Sequence, residues 1–200
     1  MAHLVITIGC EYGAKGNMIG RKVAKDLGIK FYDRDTVDKI IKEVGIPKDI
    51  MEKVEEGGTI AGKGAEGDVR GSFSKYADLT QRAIHVQKTI IRKLADRESC
   101  VIIGRCANMI LKDYSNVLRV FVYGDWDFRI REASKKLSGT TKDIEKFMHK
   151  DDKRKEDFCK RFMGVDWTDM TKYNLCLDNG TLGYEKCVEE IESALEILKK

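Results

Sequence analysis

The chain has 200 residues, of which 42% are hydrophobic and 35% are charged, and this length and composition suit one compact domain with a heavily charged surface. No apolar run approaches membrane-spanning length and no signal-peptide pattern precedes the first predicted strand, so we expect a cytoplasmic protein with no membrane partner. The six cysteines lack the paired spacing of zinc ligands, which predicts six reduced thiols and no zinc site.

The positive charge is concentrated in one segment. Residues 129–161 hold twelve Lys and Arg against seven Asp and Glu, a net charge of +5, whereas the whole chain carries +4. This segment has few aromatic residues among its cations and its acids dilute the charge, so we expect no nucleic-acid partner. A solvated helix face or a set of phosphate ligands are the two remaining interpretations.

The first predicted unit is a buried strand, a glycine-rich turn and a helix. Residues 4–8 are apolar or β-branched, as in a strand covered on both faces. Gly9, Gly13 and Gly16 follow, with Lys15 among them, and glycines allow the backbone to approach a ligand closely. Because the amides at the start of the next helix attract anions, this pattern favours a phosphate site over an ordinary strand-to-helix turn.

Helical periodicity, apolar runs and turn residues predict the remaining elements. In chain order these are helix 16–27, strand 31–32, helix 36–44, a short segment 48–54, helix 76–97, strand 100–103, helix 107–111, strand 117–123, a helix from 125, helix 141–161, strand 173–177 and helix 184–198. Residues 57–71 contain six glycines, and they form either a disordered loop or a flap over a site.

The alternation of strands and helices predicts an α/β fold with a parallel sheet of about five strands and helices on both faces. Ligands bind such sheets beyond the carboxyl ends of the strands. Besides the glycine-rich turn, Asp33, Arg34 and Arg105 follow strand ends. The sequence therefore gathers a phosphate loop, a carboxylate and two arginines at one edge.

Two nucleotide-binding folds share this opening. In a dinucleotide-binding Rossmann fold, Asp33 would bind a ribose hydroxyl, but the glycine spacing differs and Asp33 equally fits a helix cap. In a P-loop fold, the lysine position falls on Gly16 and the hydroxyl position on Asn17, while Lys15 lies one residue early. The loop thus matches neither pattern fully.

Several stretches of the chain resemble motifs of the cytidylate kinase-like family and follow one another in the same order and at similar spacing. This family is a divergent branch of the nucleoside monophosphate kinases in the P-loop NTPase superfamily. These stretches are residues 12–16, 19–24, 27–34, 101–108, 151–154 and 173–178. Members usually have glycine in place of the P-loop lysine, as at Gly16 here. Ala14, Lys15 and Asn17 depart from the family's usual loop, which is richer in glycine and serine.

The resemblance implies a three-layer P-loop NTPase fold with a basic helical lid. It implies a single kinase-like domain over residues 1–200, with an insert at about 36–75 that binds the monophosphate and a lid at about 129–165. The implied activity is ATP- and Mg²⁺-dependent phosphoryl transfer to a nucleoside monophosphate, most plausibly CMP or dCMP, and a homodimer is compatible with it. The alternatives are a nucleotide-binding protein without turnover and, less favoured, a Rossmann-type NAD-dependent oxidoreductase.

The same resemblance assigns roles to individual residues. Phosphoryl transfer needs cations that neutralise and position the phosphates, so we expect the catalytic residues to be Lys15, Arg105, Arg129 and Arg154. The expected nucleotide-binding residues are Gly13, Ala14, Lys15, Gly16, Asn17, Met18, Asp33, Arg34, Arg105, Arg131, Lys153 and Arg161. Asn17 is the candidate Mg²⁺ ligand, and Arg21 is an alternative to Lys15. For Arg105 the alternative is a structural salt bridge to a helix, and for the lid residues it is a solvated surface.

Overall fold

A computed structural model describes residues 3–46 and 69–198. The strands are β1 Val5–Cys10, β2 Lys30–Tyr32, β3 Cys100–Ile103, β4 Val117–Tyr123 and β5 Leu175–Asp178. The helices are α1 Gly16–Asp26, α2 Arg34–Glu43, α3 Val69–Arg97, α4 Ala107–Ile110, α5 Trp126–Ser134, α6 Thr141–Met163, α7 Asn179–Leu182 and α8 Tyr184–Leu198, with a 3₁₀ turn at Met170–Lys172. No helix within these ranges is long and apolar enough to cross a membrane.

The five strands form one parallel sheet in the order β2-β3-β1-β4-β5. β1 lies at the centre, where Ile6 faces Val101 of β3 and Leu118 of β4 in register. A Rossmann sheet has the order 3-2-1-4-5, with the second strand beside the first. Here β3 takes that place, so the alternative of a Rossmann-type NAD-dependent oxidoreductase is wrong for this chain.

Two apolar layers cover the sheet, because alternate residues of each strand point to opposite faces. Ile6 and Ile8 of β1 are fully buried in one layer, together with Val23 of α1 and Ile191 of α8. Val5 belongs to the other layer, which α2, α3, α4 and α6 complete. The central strand is therefore covered on both faces, as its unbroken apolar run predicts.

Local sequence patterns predict most of the elements, with differences at several ends. Strands 100–103 and 117–123 and helix 184–198 have the predicted bounds. α3 begins at Val69 rather than at residue 76, so part of the glycine-rich stretch is helical. The last strand starts at Leu175 rather than at Tyr173, because the Tyr173 amide donates to the Met170 carbonyl and so closes the preceding 3₁₀ turn. Segment 48–54 and the core of the insert lie outside the described residues.

The cysteines differ from the sequence-based expectation. Cys106 and Cys159 form a disulfide, so the prediction of six reduced thiols is wrong for these two. The other four, Cys10, Cys100, Cys176 and Cys187, are free. The disulfide links the residue after Arg105 to α6 across 53 residues of sequence. A pairing over that distance leaves no local signal in the sequence.

Candidate active site

The glycine-rich loop between β1 and α1 is packed tightly. Gly13 has φ +85°, and a Cβ there would lie 2.5 Å from the Arg129 carbonyl oxygen. A Cβ at Gly16 would lie 2.5 Å from the Cβ of Cys10. Lys15, between them, also has a left-handed backbone, with φ 64°. Only glycine fits at Gly13 and Gly16, and the loop is thereby held against α5 and the end of β1.

Several main-chain amides of this loop are open to a ligand. Ala14 donates to the Glu11 carbonyl, and Met18 and Ile19 donate to that of Lys15. Within the described residues, no main-chain acceptor is found for the amides of Gly13, Lys15 and Asn17, which precede or begin α1, while the Gly16 amide donates to the Cys10 sulfur. Free amides at a helix N-terminus, together with the helix dipole, form a site suited to phosphate.

The loop lysine is held by a carboxylate of α5. Lys15 Nζ lies 2.7 Å from Glu132, which Lys135 also contacts at 2.6 Å. Burial alone would raise the pKa of Glu132, but its hydrogen bonds to the two lysines bring that pKa below its usual value. Lys15 is therefore held in an ion pair with Glu132.

Arg129, in α5, links the loop to α6. Its Nε donates to the Tyr12 carbonyl at 2.8 Å, and its guanidinium also contacts Glu11 at 3.1 Å and Asp152 of α6. Asp152 in turn accepts from the Tyr12 amide at 2.9 Å. The side chain of Arg129 is almost fully buried, so this buried network fixes the loop relative to α5 and α6.

A cavity of about 180 Å³ opens at the carboxyl ends of β1 and β3. Four cationic side chains are part of its lining: Arg34, Arg105, Arg154 and Lys155. Aromatic side chains and the disulfide form part of the remaining wall, namely Phe158, Trp167, Tyr173, Cys106 and Cys159. The cavity also reaches Gly9 and Cys10, the last residues before the loop. Phosphate loop and cationic cavity thus adjoin, as the edge of a parallel sheet predicts.

Arg105 is the most buried cation of the cavity. Its guanidinium contacts Asp38 of α2, and it donates to Gln87 Oε1 of α3 at 3.3 Å. Burial lowers its pKa to about 10, which still leaves the side chain charged at neutral pH. The backbone of Arg105 has φ +58°, a conformation that side chains rarely adopt and that concentrates at functional sites.

Arg154 and Lys155 enter the cavity from α6. Arg154 contacts Asp151 at 2.6 Å, and Lys155 contacts Asp151 at 2.9 Å and the Cys10 carbonyl at 3.1 Å. Burial alone would lower the pKa of Lys155, but the charge interactions with Cys10, Asp152 and Asp151 raise it. Lys155 is therefore charged, and neighbouring acids hold both side chains in place.

The structure brings together some of the residues expected from sequence and separates others. Arg34, Arg105 and Arg154 share the cavity, beside the loop that holds residues 13–17. Asp33 instead caps α2, accepting from the Thr36 amide at 3.0 Å, and contacts Arg21 at 3.1 Å. The remaining lid candidates lie on outer surfaces: Arg131 over the Phe128 ring, Arg161 over the Phe162 ring, and Lys153 beside Glu156 and Asp157.

Sequence reasoning missed Lys155, Asp38 and Glu132. Lys155 lies on the same face of α6 as Asp151 and buried Phe158, at the spacing of one helical turn. That spacing, together with the apolar Phe158, is a signal that could have favoured Lys155 over Lys153. No comparable pattern identifies Asp38 or Glu132, whose partners lie in distant parts of the sequence.

Solved structures with similar folds include P-loop kinases. An uncharacterized protein from Eubacterium ventriosum aligns with a TM-score of 0.75 and 23% identity, over 97% of this chain and 99% of its own. Shikimate kinase from Bacteroides thetaiotaomicron aligns at 0.53 and 14%, over 96% and 98%. A sugar kinase from Janibacter sp. HTCC2649 aligns at 0.51 and 13%, over 98% and 95%. At these identities the likeness concerns the fold.

No curated protein sequence matches the chain significantly. A family model does match, over residues 5–181, and its description is the cytidylate kinase-like family. The match includes the loop, the cavity and α6, and it covers most of the chain. The chain therefore belongs to the cytidylate kinase-like family, with a P-loop kinase fold.

Proposed function

We propose that the protein transfers the γ-phosphoryl group of ATP to a nucleoside monophosphate, CMP or dCMP. The observation that carries this proposal is the contact between two sites at one edge of the sheet. Open amides occupy the loop after β1, and a cavity with four cationic side chains begins at Gly9 and Cys10. Two phosphorylated substrates repel each other, so a kinase needs such adjoining cationic sites.

The loop would bind the donor phosphates. The amides of Gly13, Lys15 and Asn17 would donate hydrogen bonds to phosphate oxygens, and Lys15 would leave Glu132 to contact a phosphate oxygen. An ion pair that is partly exposed, as this one is, contributes about 1 kcal/mol or less, so ATP can displace it. Arg129 keeps the loop in place through the Tyr12 carbonyl while this exchange occurs.

The residues near the loop fit a magnesium ion that arrives with ATP. Within the described ranges, no group of three or more His, Cys, Asp or Glu side chains is placed to hold a metal. Mg²⁺ in kinases needs only one or two protein ligands besides phosphate and water. Asn17, exposed in the first turn of α1, would supply one. The ion would neutralise charge on the transferred phosphate.

The cavity would bind the acceptor phosphate. Arg105 is preorganised by Asp38 and Gln87, and a guanidinium can bind phosphate through two parallel hydrogen bonds. Arg154 and Lys155 approach from α6, so the acceptor would contact the sheet edge and the lid helix together. Binding there would exclude water from the reacting phosphate and so favour transfer over hydrolysis.

A coupled assay of ADP release tests the proposal. The purified protein, ATP and Mg²⁺ are combined with CMP, dCMP, UMP, AMP and GMP in turn. We expect the highest kcat/KM with CMP or dCMP, and Arg154→Ala should lower it about 100-fold, the effect of losing a charge-assisted contact and its positioning. Lys150→Ala, an exposed cation on the same helix, is the matched control and should leave the rate unchanged.

The ion pair between Lys15 and Glu132 favours one alternative, a protein that binds nucleotide without turnover. In that case ATP would bind with micromolar affinity, measured by calorimetry, and no monophosphate would accelerate ADP release. Turnover with any monophosphate contradicts this alternative.

A further inference from the structure

We infer that Thr7 determines acceptor specificity, its hydroxyl binding the polar edge of a single-ring base at the floor of the cavity. The inference rests on the proposed function and deepens it. It assigns the bound acceptor a direction, with its phosphate at the cationic rim and its base directed towards the middle of β1.

Thr7 is a polar residue in an otherwise apolar strand. It is 1% exposed, and its neighbours Ile6 and Ile8 face the opposite layer. Thr7 lines the cavity, yet its Oγ1 has no hydrogen-bond partner among the described residues. Buried hydroxyls are normally bonded, and one left without a partner is unfavourable. A hydroxyl in this state at a cavity wall is suited to a ligand.

The lining of the cavity extends from the end of β1 towards its middle. Cys10 marks its rim, where Lys155 binds the main chain, and Thr7 lies three residues earlier in the same strand. At about 3.3 Å per strand residue, the two are separated by about 10 Å. An acceptor phosphate held between Lys155 and Arg105 would therefore place the far edge of its base beside Thr7.

The walls and the volume favour one flat ring. Phe158, Trp167 and Tyr173 provide aromatic surface, against which a planar base can pack. The cavity measures about 180 Å³. A cavity of about 150 Å³ holds benzene, so this one has room for a substituted six-membered ring. We therefore assign the floor of the cavity to the single ring of the base, with the sugar and phosphate towards the open rim.

Thr7→Val tests the hydroxyl, because it keeps the shape of the side chain and removes the polar atom. We expect KM for CMP to rise about tenfold, the effect of one lost hydrogen bond to a ligand, with KM for ATP unchanged. Thr7→Ser should restore most of the affinity.

Thr80→Val is the matched control, since Thr80 is a buried threonine of α3 outside the cavity lining, and its KM values should equal those of the wild type. If CMP turns over with the same KM in Thr7→Val, the inference about Thr7 is wrong and the proposed function stands. If no monophosphate turns over, the affinity for CMP is measured by calorimetry in the wild type and in Thr7→Val, which tests Thr7 independently of the proposed activity. Tenfold weaker binding to Thr7→Val supports the inference, whereas equal binding, or none to the wild type, overturns it.

Discussion

The loop after β1 and the cavity beside it differ in whether an ion pair must break before a ligand can bind. At the loop, Lys15 is paired with Glu132, a carboxylate that a nucleotide would have to replace under the proposed function. At the cavity, Arg105 is also paired, with Asp38, but it already borders open space. Under the proposed function the acceptor site would thus be largely preformed, whereas the donor site would need an ion-pair exchange. A preformed site loses less free energy on binding than one that must rearrange.

The largest effect is expected from the disulfide that fixes one wall of the acceptor cavity. It closes a loop across 53 residues of sequence, for which chain entropy predicts about 4 kcal/mol of stabilisation. Dithiothreitol should therefore lower the free energy of unfolding in urea by up to about that amount.

The double variant Cys106→Ser with Cys159→Ser is the control, because it has no disulfide to reduce. Its unfolding midpoint should be the same with and without dithiothreitol. If dithiothreitol leaves the unfolding midpoint of the wild type unchanged, the disulfide does not stabilise this wall of the cavity.

The next largest effect is expected at Arg105. Arg105→Lys keeps the positive charge but loses the planar fork that binds phosphate and Asp38. We expect kcat/KM for CMP to fall about 100-fold, equivalent to about 3 kcal/mol, while the Kd for ATP stays unchanged. Initial rates and ATP calorimetry measure the two quantities. If ATP binds about 100-fold more weakly as well, Arg105 supports the whole edge of the sheet and not the binding of the acceptor alone.

A smaller effect is expected at the ion pair between Lys15 and Glu132. Glu132→Gln removes the charge that competes for Lys15, so ATP affinity should rise about fivefold, or about 1 kcal/mol. Calorimetric titration with ATP measures it. Lys15→Ala should weaken ATP binding instead, and opposite signs for the two variants are the expected result. Weaker ATP binding to Glu132→Gln would mean that the ion pair orders the loop for the nucleotide.

A pH-dependent effect of similar or smaller size is expected at Asp151. Burial alone would raise its pKa, but Lys155 and Arg154 bring it below its usual value. A carboxylate whose pKa is lower in the folded than in the unfolded protein stabilises the fold at pH values above its unfolded pKa of about 3.9. This stabilisation is lost as the pH falls from there through the folded pKa. Asp151→Asn should therefore be less stable than wild type at pH 7, and the difference should shrink towards pH 2. A constant difference in urea unfolding across this range would contradict the assignment.

The smallest effect is expected at Lys153, next to Arg154 in sequence but on another face of α6. It contacts Glu156 and Asp157 and is 61% exposed. Lys153→Ala should change kcat/KM for CMP less than about twofold, because exposed pairs contribute little. A loss as large as that of Arg154→Ala would indicate that α6 rotates when substrates bind.

Much of the fold could be predicted because its signals are local. The apolar run at 100–103 indicates a buried strand, and the glycines after β1 indicate a tight turn before a helix. The place of Arg105 follows from the same logic, since it comes just after a strand of a parallel sheet. The family resemblance added the P-loop fold, which the altered loop alone does not identify.

The rest depends on contacts between distant residues. Which face of α6 meets the sheet decides that Arg154 and Lys155 line the cavity and that Lys153 does not. The pairing of Lys15 with Glu132 depends on how α5 packs against the loop. Asp33 fits two interpretations from sequence, and its bond to the Thr36 amide supports the helix cap. Such contacts follow from packing and leave no periodic pattern.

The most direct test of the account follows the phosphoryl group itself. ATP labelled at its γ-phosphate is incubated with wild-type protein, Mg²⁺ and CMP, and the products are separated by chromatography. If the loop and the cavity serve one reaction, the label appears in CDP, and Arg105→Lys strongly reduces it. Label that stays in ATP, or appears only as free phosphate, would contradict the account.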